Sequence, residues 1–249
     1  MNAPIYIGCC GFPKAMPQYF RTFSVVEIQK TFYQLPREHT ASGWREKAPT
    51  AFEFTLKAWQ GITHLTTSPT YRKANIAIPD SQKAHYGHFQ PTDEVMQAWE
   101  GTRRIAEILQ ARLIVLQCPP NFKPGDESQR NLETFLQAIQ PHPFRLAIEF
   151  RADWPREFIE ELCRRFPVIH CTDPFAADPV PGAIAYYRLH GVPPGEKMYR
   201  YQYTDADLHF LAEKVARDIQ ASREVYCMFN NISMWDDALR FREQIAGLT

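Results

Sequence analysis

Eight short apolar runs separated by helical patterns, in a chain of 249 residues, predict an α/β fold: a (β/α)8, TIM-barrel-like single domain over residues 1–249. Strand–helix alternation favours a parallel sheet, and eight such units in about 250 residues is the usual size of a barrel. Polar side chains recur where the apolar runs finish, which is where parallel α/β sheets collect binding groups. A doubly wound open sheet is the rival that the pattern alone leaves open.

Taken in order, the expected strands are IYIGCC (5–10), VVEIQ (25–29), FEFTLK (52–57), LIVLQ (113–117), RLAIEF (145–150), PVIHC (167–171), IAYYRLH (184–190) and VYCMFN (225–230). Thr92 caps a long helix running through Ile105, Ile108 and Leu109. Ser128 caps the next, with Leu132, Phe135, Leu136 and Ile139 at helical spacing. Trp154-Pro155 opens a third, proline suiting the first helical turn. Thr204 with Asp207, and Ser233 with Asp236, resemble capping boxes. Residues 66–91, TTSPTYRKANIAIPDSQKAHYGHFQP, break the rhythm. They read as a loop or lid insertion after the third strand.

Composition narrows the function classes. Twenty-eight basic residues balance 28 acidic ones, so no global basic field points to nucleic acid, although a local basic groove stays open. Hydrophobic residues make up 45% of the chain, enough for a sizeable core. The six cysteines include no C-x-x-C pair, and most lie in apolar runs, so they read as buried reduced thiols. Adjacent Cys9 and Cys10 are expected to face opposite sides of their strand. No stretch reaches the roughly 18 apolar residues of a membrane span, and the expectation is a cytoplasmic protein with no membrane partner.

Side chains alternate faces along a strand. Applied to each strand end, this gathers Glu27, Lys57, Gln117, Glu149, Arg151, Asp173, Arg188, His190 and Asn230 as an expected ring of polar groups. Burying such charges is costly unless they pair. A purely structural charge network is therefore the plain alternative to a functional pocket.

The same residues lie in segments that resemble the YecE-like family, bacterial proteins classed as a domain of unknown function. The matching pieces are IGCCGF, VVEIQKTFY, GWREKAPTAFEFTLKAWQGITH, LQCPPNF, LAIEFRADW, YYRLHG and VYCMFNN, in the family's order from residue 5 to 231. The resemblance implies a TIM-barrel-like fold. It adds Phe32, Tyr33, Thr63, His64, Trp154 and Gly191 to the strand-end set. The first loop, GFPKAMPQYF, departs from the family's longer aromatic segment. The family brings no established reaction.

Several chemistries fit. Lys57, Arg151 and Arg188 suit a phosphate or carboxylate, Arg bidentately and Lys as a point charge, with His64 and His190 nearby. Glu27 and Glu149 suit a base and an acid, with His190 as an alternative acid. Lys57 as a Schiff-base lysine ranks below an electrostatic role, because nearby carboxylates favour its charged form. The leading expectation is an enzyme working by acid–base chemistry on a small anionic, sugar-like substrate. Glu27, Glu149, His190 and Lys57 are its catalytic groups. Arg151, Arg188, Gln117, Asp173, Asn230, His64, Tyr33, Trp154 and Tyr199 bind substrate.

A metal-dependent hydrolase or phosphoesterase is the rival enzyme, with ligands drawn from His64, Glu149, Asp173, His190 and Glu27. A divalent metal is not favoured, because H-x-H and H-E-x-x-H motifs are absent, and His85-x-x-His88 is only a weak zinc spacing. No nucleotide cofactor motif and no G-x-S-x-G elbow occur. Cys118 reads as a core thiol rather than a nucleophile. The non-enzyme alternative is a ligand- or nucleic-acid-binding protein using Tyr33, Trp59, Trp154 and Tyr199 for stacking. The sequence leaves the oligomeric state open.

Overall fold

Parallel strands close into a barrel in sequence order, β1 through β8. They are β1 (Ile5–Cys10), β2 (Val25–Ile28), β3 (Glu53–Lys57), β4 (Leu113–Gln117), β5 (Arg145–Glu149), β6 (Val168–Thr172), β7 (Ile184–Leu189) and β8 (Glu224–Phe229). The helices are α1 (Met16–Thr22), α2 (Lys30–Tyr33), α3 (Glu38–Lys47), α4 (Asp93–Leu109), α5 (Asp126–Ala138), α6 (Arg156–Arg165), α7 (Asp205–Gln220) and α8 (Met234–Ile245). The computed structural model describes residues 3–74, 76–193 and 198–246. Its contacts gather into two compact units, Met1–Glu27 with Ala48–Glu53 and Ile169–Thr249, and Ile28–Lys47 with Phe54–Val168.

All eight expected strands form, with ends within a residue of those read from the apolar runs. Every residue of β2 and β3 is buried, as parallel strands covered on both faces must be.

In the first unit, β1 pairs with β2, setting Gly8 against Val25 and Cys10 against Glu27. On its other side β1 pairs with β8, and β8 with β7. A Cβ on Gly8 would fall 2.3 Å from the Val25 carbonyl oxygen, so only glycine allows this approach. The Tyr19 hydroxyl seals the same spot. It donates to Val25 O at 2.9 Å and accepts from Cys9 N at 2.7 Å. In the second unit, β3, β4 and β5 run in register, with Lys57 level with Val115, Val115 with Ala147, and Gln117 with Glu149.

Helix starts separate the expectations. Thr92 caps α4 through Val95 N, and Thr204 with Asp207 forms a complete capping box on α7. Ser128 does not cap α5. The helix begins at Asp126 behind Gly125, where Asp126 and Glu127 suit the positive end of the first turn. Pro155 stands at the N-cap of α6, one residue ahead of the first turn. Ser233 precedes α8 but caps no backbone N–H. Its hydroxyl donates instead to Asp237 Oδ2 at 2.6 Å, a carboxylate being the stronger acceptor.

The 66–91 insertion holds two short 3₁₀ turns, Pro69–Lys73 and Asp80–His85. Its end folds back onto the turn after β3. Gly87 N donates to Gly61 O at 2.9 Å, His88 N to Thr63 O at 3.2 Å and Phe89 N to Ile62 O at 2.9 Å.

Candidate active site at the strand ends

In the first unit the polar strand ends centre on Glu27. Its Oε1 lies 2.9 Å from Arg188 Nη2, and both side chains have 0% exposure. The Tyr186 hydroxyl donates to Glu27 Oε2 at 2.8 Å, and the Cys10 thiol donates to Oε1 at 3.5 Å. Burial, then the Glu27 charge, pushes the Cys10 thiol well above its usual range. Tyr186 and Arg188 are two residues apart on β7, so the strand's two-residue period delivers both to one carboxylate. Below Arg188, the Tyr186 ring stacks on Tyr226 at 5.2 Å, and Tyr226 on Tyr6 at 4.6 Å. This aromatic layer spans β7, β8 and β1.

A second group in this unit joins the ends of β6 and β7. His190, 1% exposed, places Nδ1 3.2 Å from Asp173 Oδ2, and its backbone N–H donates to the same oxygen at 3.1 Å. Asp173 is itself fixed by the Phe175 N–H, at 3.0 Å from Oδ1. An Asp that accepts from Nδ1–H selects the tautomer with a basic Nε2. Tyr199 meets the His190 ring edge-on at 5.5 Å and is 44% exposed. Gly191 N donates to the Tyr203 hydroxyl at 2.8 Å. Asn230 follows β8 and is anchored by its backbone N–H to Leu189 O at 2.9 Å.

In the second unit, Glu149 closes β5 and pairs with Arg151, Oε1 to Nη2, at 2.6 Å. Gln117 is its register neighbour on β4. Lys57 ends β3, with Nζ 3.4 Å from the centroid of Phe32. Such a cation–π contact strengthens when shielded from water, and Lys57 is buried. The Phe32 ring also meets the His64 ring at 4.9 Å, edge-on. Thr63 Oγ1 lies 2.7 Å from His64 Nδ1. Burial first, then the charges of Lys57, His88 and Arg151, pulls the His64 pKa down to about 3, so this imidazole is neutral at pH 7. Trp154 is placed in an aromatic cluster, its indole N–H donating to Phe122 O at 2.9 Å. Tyr33 is half-buried beside Phe32.

Some contributors escape sequence reading. Tyr186 shares a face with Arg188, but a strand tyrosine reads as core. Gln60 is fully buried and accepts from Thr70 Oγ1 at 2.5 Å, tying the insertion to the turn after β3. It stands in no periodic pattern. In the Asn230-Asn231 pair it is Asn231 that is buried, donating to Asp237 Oδ2 at 2.7 Å and Tyr201 O at 2.8 Å. His85 and His88 face different partners, Glu94 and Asn121. Among the described residues no three His, Cys, Asp or Glu side chains are placed to share one metal ion. The Cys118 thiol is fully buried and pushed well above its usual range, by burial and then by Glu149.

A closed parallel α/β barrel with buried ion pairs at its strand ends is the class of protein these observations define. Within that class, the chain belongs to the family described as Protein of unknown function DUF72, which matches residues 8–248. UPF0759 protein YunF of Bacillus subtilis (strain 168) is 23% identical over 272 residues, covering 94% of this chain and 91% of YunF. The crystal structure of a DUF72 family protein from Thermotoga maritima superposes with a TM-score of 0.71 at 23% identity, over 97% of this chain and 99% of that one. A xylose isomerase domain containing protein from Salmonella typhimurium LT2 superposes with a TM-score of 0.58 at 17% identity, over 98% and 96%. No helix among the described residues is long and apolar enough to cross a membrane.

Proposed function

We propose that the chain is a cytoplasmic enzyme that moves protons on a small anionic, sugar-like substrate, and that the YecE-like and DUF72 groupings are one family. The observation that carries this reading is the His190–Asp173 pair. It is a nearly buried imidazole whose Nδ1 is held 3.2 Å from a carboxylate, the arrangement that orients a general acid or base. Glu27 is the partner carboxylate in the same unit, and Arg188 the cation that holds substrate charge. Asp173, Asn230 and Tyr199 complete that set as orienting and binding groups.

In the second unit Glu149 and Lys57 are assigned the corresponding catalytic roles, with Arg151, Gln117, His64, Tyr33 and Trp154 binding. His64 acts there as a neutral hydrogen-bonding group. The 66–91 insertion serves as the lid of the His64 group, to which its end is tied through residues 87–89. The description of the Salmonella neighbour as a xylose isomerase domain containing protein supports a sugar-like substrate.

The test is a screen of sugar phosphates and sugar acids, followed by NMR for conversion. Turnover by the wild-type chain that falls about 100-fold or more in His190→Gln matches general acid–base catalysis. A ligand that binds without conversion favours the non-catalytic alternative. Conversion undiminished in His190→Gln removes the proposed mechanism.

A further inference from the structure

Within a chain of zero net charge, one cavity of the second unit is strongly one-sided. About 640 Å³ in volume, it opens between α2, the 34–37 turn, residues 39–44 of α3 and the 3₁₀ turn that ends at Lys73. Lys30, Arg37, His39 and Lys73 stand around it, and among the described residues no Asp or Glu lines it. The adjacent acid, Glu38, is turned to α4, where it accepts from Arg104 Nε at 2.8 Å and Nη2 at 3.2 Å. It therefore does not neutralise the cavity. Among the described residues Lys30, Arg37 and Lys73 have no carboxylate partner. Clustered like charges repel, and the group that relieves them is an anion with more than one oxygen to share.

The walls add a second requirement. Tyr33 and Trp44 present aromatic rings to the cavity, and Leu35 and Pro36 add apolar surface. Lys73 Nζ lies 5.6 Å from the Tyr33 centroid, holding a cation beside a ring face. A bare phosphate would use the cations and leave those rings idle. A flat ring bearing a phosphate uses both, by stacking and by charge-assisted hydrogen bonds. The volume falls within the roughly 300–1,000 Å³ of small-molecule sites.

We propose that this cavity binds a nucleotide, free or as one unit of a single strand, with its phosphate among Lys30, Arg37 and Lys73 and its base against Tyr33 and Trp44. The site does not depend on the acid–base reading above, and Tyr33 is the residue that the two share. The 66–91 insertion, which carries Lys73, contributes directly to the nucleotide site.

Binding of adenosine monophosphate, inorganic phosphate and a short single-stranded oligodeoxynucleotide to the full chain, at low and at physiological salt, tests this. Adenosine monophosphate should bind at least about tenfold more tightly than phosphate, the lower range of a stacking contribution. The triple variant Lys30→Gln/Arg37→Gln/Lys73→Gln, which alters exposed side chains, should weaken it at least about tenfold and flatten its salt dependence. Trp44→Leu and Tyr33→Leu should each bring it towards parity with phosphate. Tighter and more salt-sensitive binding of the oligonucleotide than of the mononucleotide identifies a strand as the source; equal binding per site identifies a free nucleotide. Failure of both nucleotide probes to bind, parity with phosphate in the wild type, or indifference to the triple variant overturns the proposal.

Discussion

Arg188 and Glu27 lie 2.9 Å apart, both fully buried, so deleting the guanidinium leaves a carboxylate in the core without its cation. Breaking a buried pair from one side costs roughly 3–5 kcal/mol. Arg188→Met should therefore lower the denaturant midpoint by that equivalent, and adding Glu27→Gln should recover a large part of the loss. A double variant no more stable than Arg188→Met would show that hydrogen-bond donors to Glu27, Tyr186 and Cys10 among them, and not charge, set the cost. His64 gives a second prediction. Its folded pKa is about 3, against roughly 6.5 when unfolded. Between those values the unfolded chain holds the proton and the folded chain does not. Stability is thus undiminished above about pH 6.5 and falls as pH drops towards 3, by about 1.4 kcal/mol per unit. Urea unfolding across that window should show the slope, and a stably folded His64→Gln variant should flatten it. These three residues were legible in the sequence for different reasons. Arg188 and Glu27 followed from two-residue alternation in apolar strands, whereas His64 came only from the family resemblance, since it sits in a turn where no period applies.

At the scale of elements, the sequence reads regular periods well and turns poorly. Thr204 and Asp207 declare α7 because a capping box is a local, four-residue device. Ser233 looked the same and was not, because Asp237 Oδ2, with Asn231, drew its hydroxyl away from the helix backbone. α2 is a four-residue helix, too short to show periodicity, and the 3₁₀ turns of the insertion repeat at a spacing that amphipathic patterns do not test. What fixes the insertion is its return at Gly87. Gly87 has φ +85°, and a Cβ there would fall 2.3 Å from the His64 carbonyl carbon. Gly87→Ala should cost more than about 1 kcal/mol, roughly 2–4 °C or more of Tm in a chain of this size. It should also speed proteolytic cleavage within 66–91. A cleavage rate unchanged from wild type would mean that the insertion is anchored elsewhere, for example through Gln60 and Thr70.

Over the whole molecule, the order and number of strands were readable because strands covered on both faces carry short runs rich in buried apolar residues, as in LIVLQ of β4. Closure of the barrel was not, since strand–helix alternation fits an open sheet as well. It was the resemblance, then the pairing of β1 with both β2 and β8, that decided it. The cysteines turn this architecture into a measurement. None of the six is in a disulfide; Cys9 and Cys10 lie on β1, Cys118 just after β4, Cys171 on β6 and Cys227 on β8, all buried, while Cys163 on α6 is half-buried. Cys9 and Cys10 face opposite ways, to Met234 O and to Glu27. Burial pushes the Cys9 thiol up to about 12 and raises those of Cys10, Cys118 and Cys227. Reaction needs the thiolate and access, so at about pH 8 a native chain should label at Cys163 alone. The other five should become reactive only as the barrel opens, and their labelling should track loss of secondary structure in denaturant. Mass spectrometry of the labelled peptides checks this position by position. Rapid native labelling of Cys10 or Cys118 would show that the strand ends open to solvent without unfolding, and would place Glu27 or Glu149 in a wetter setting than their burial gives.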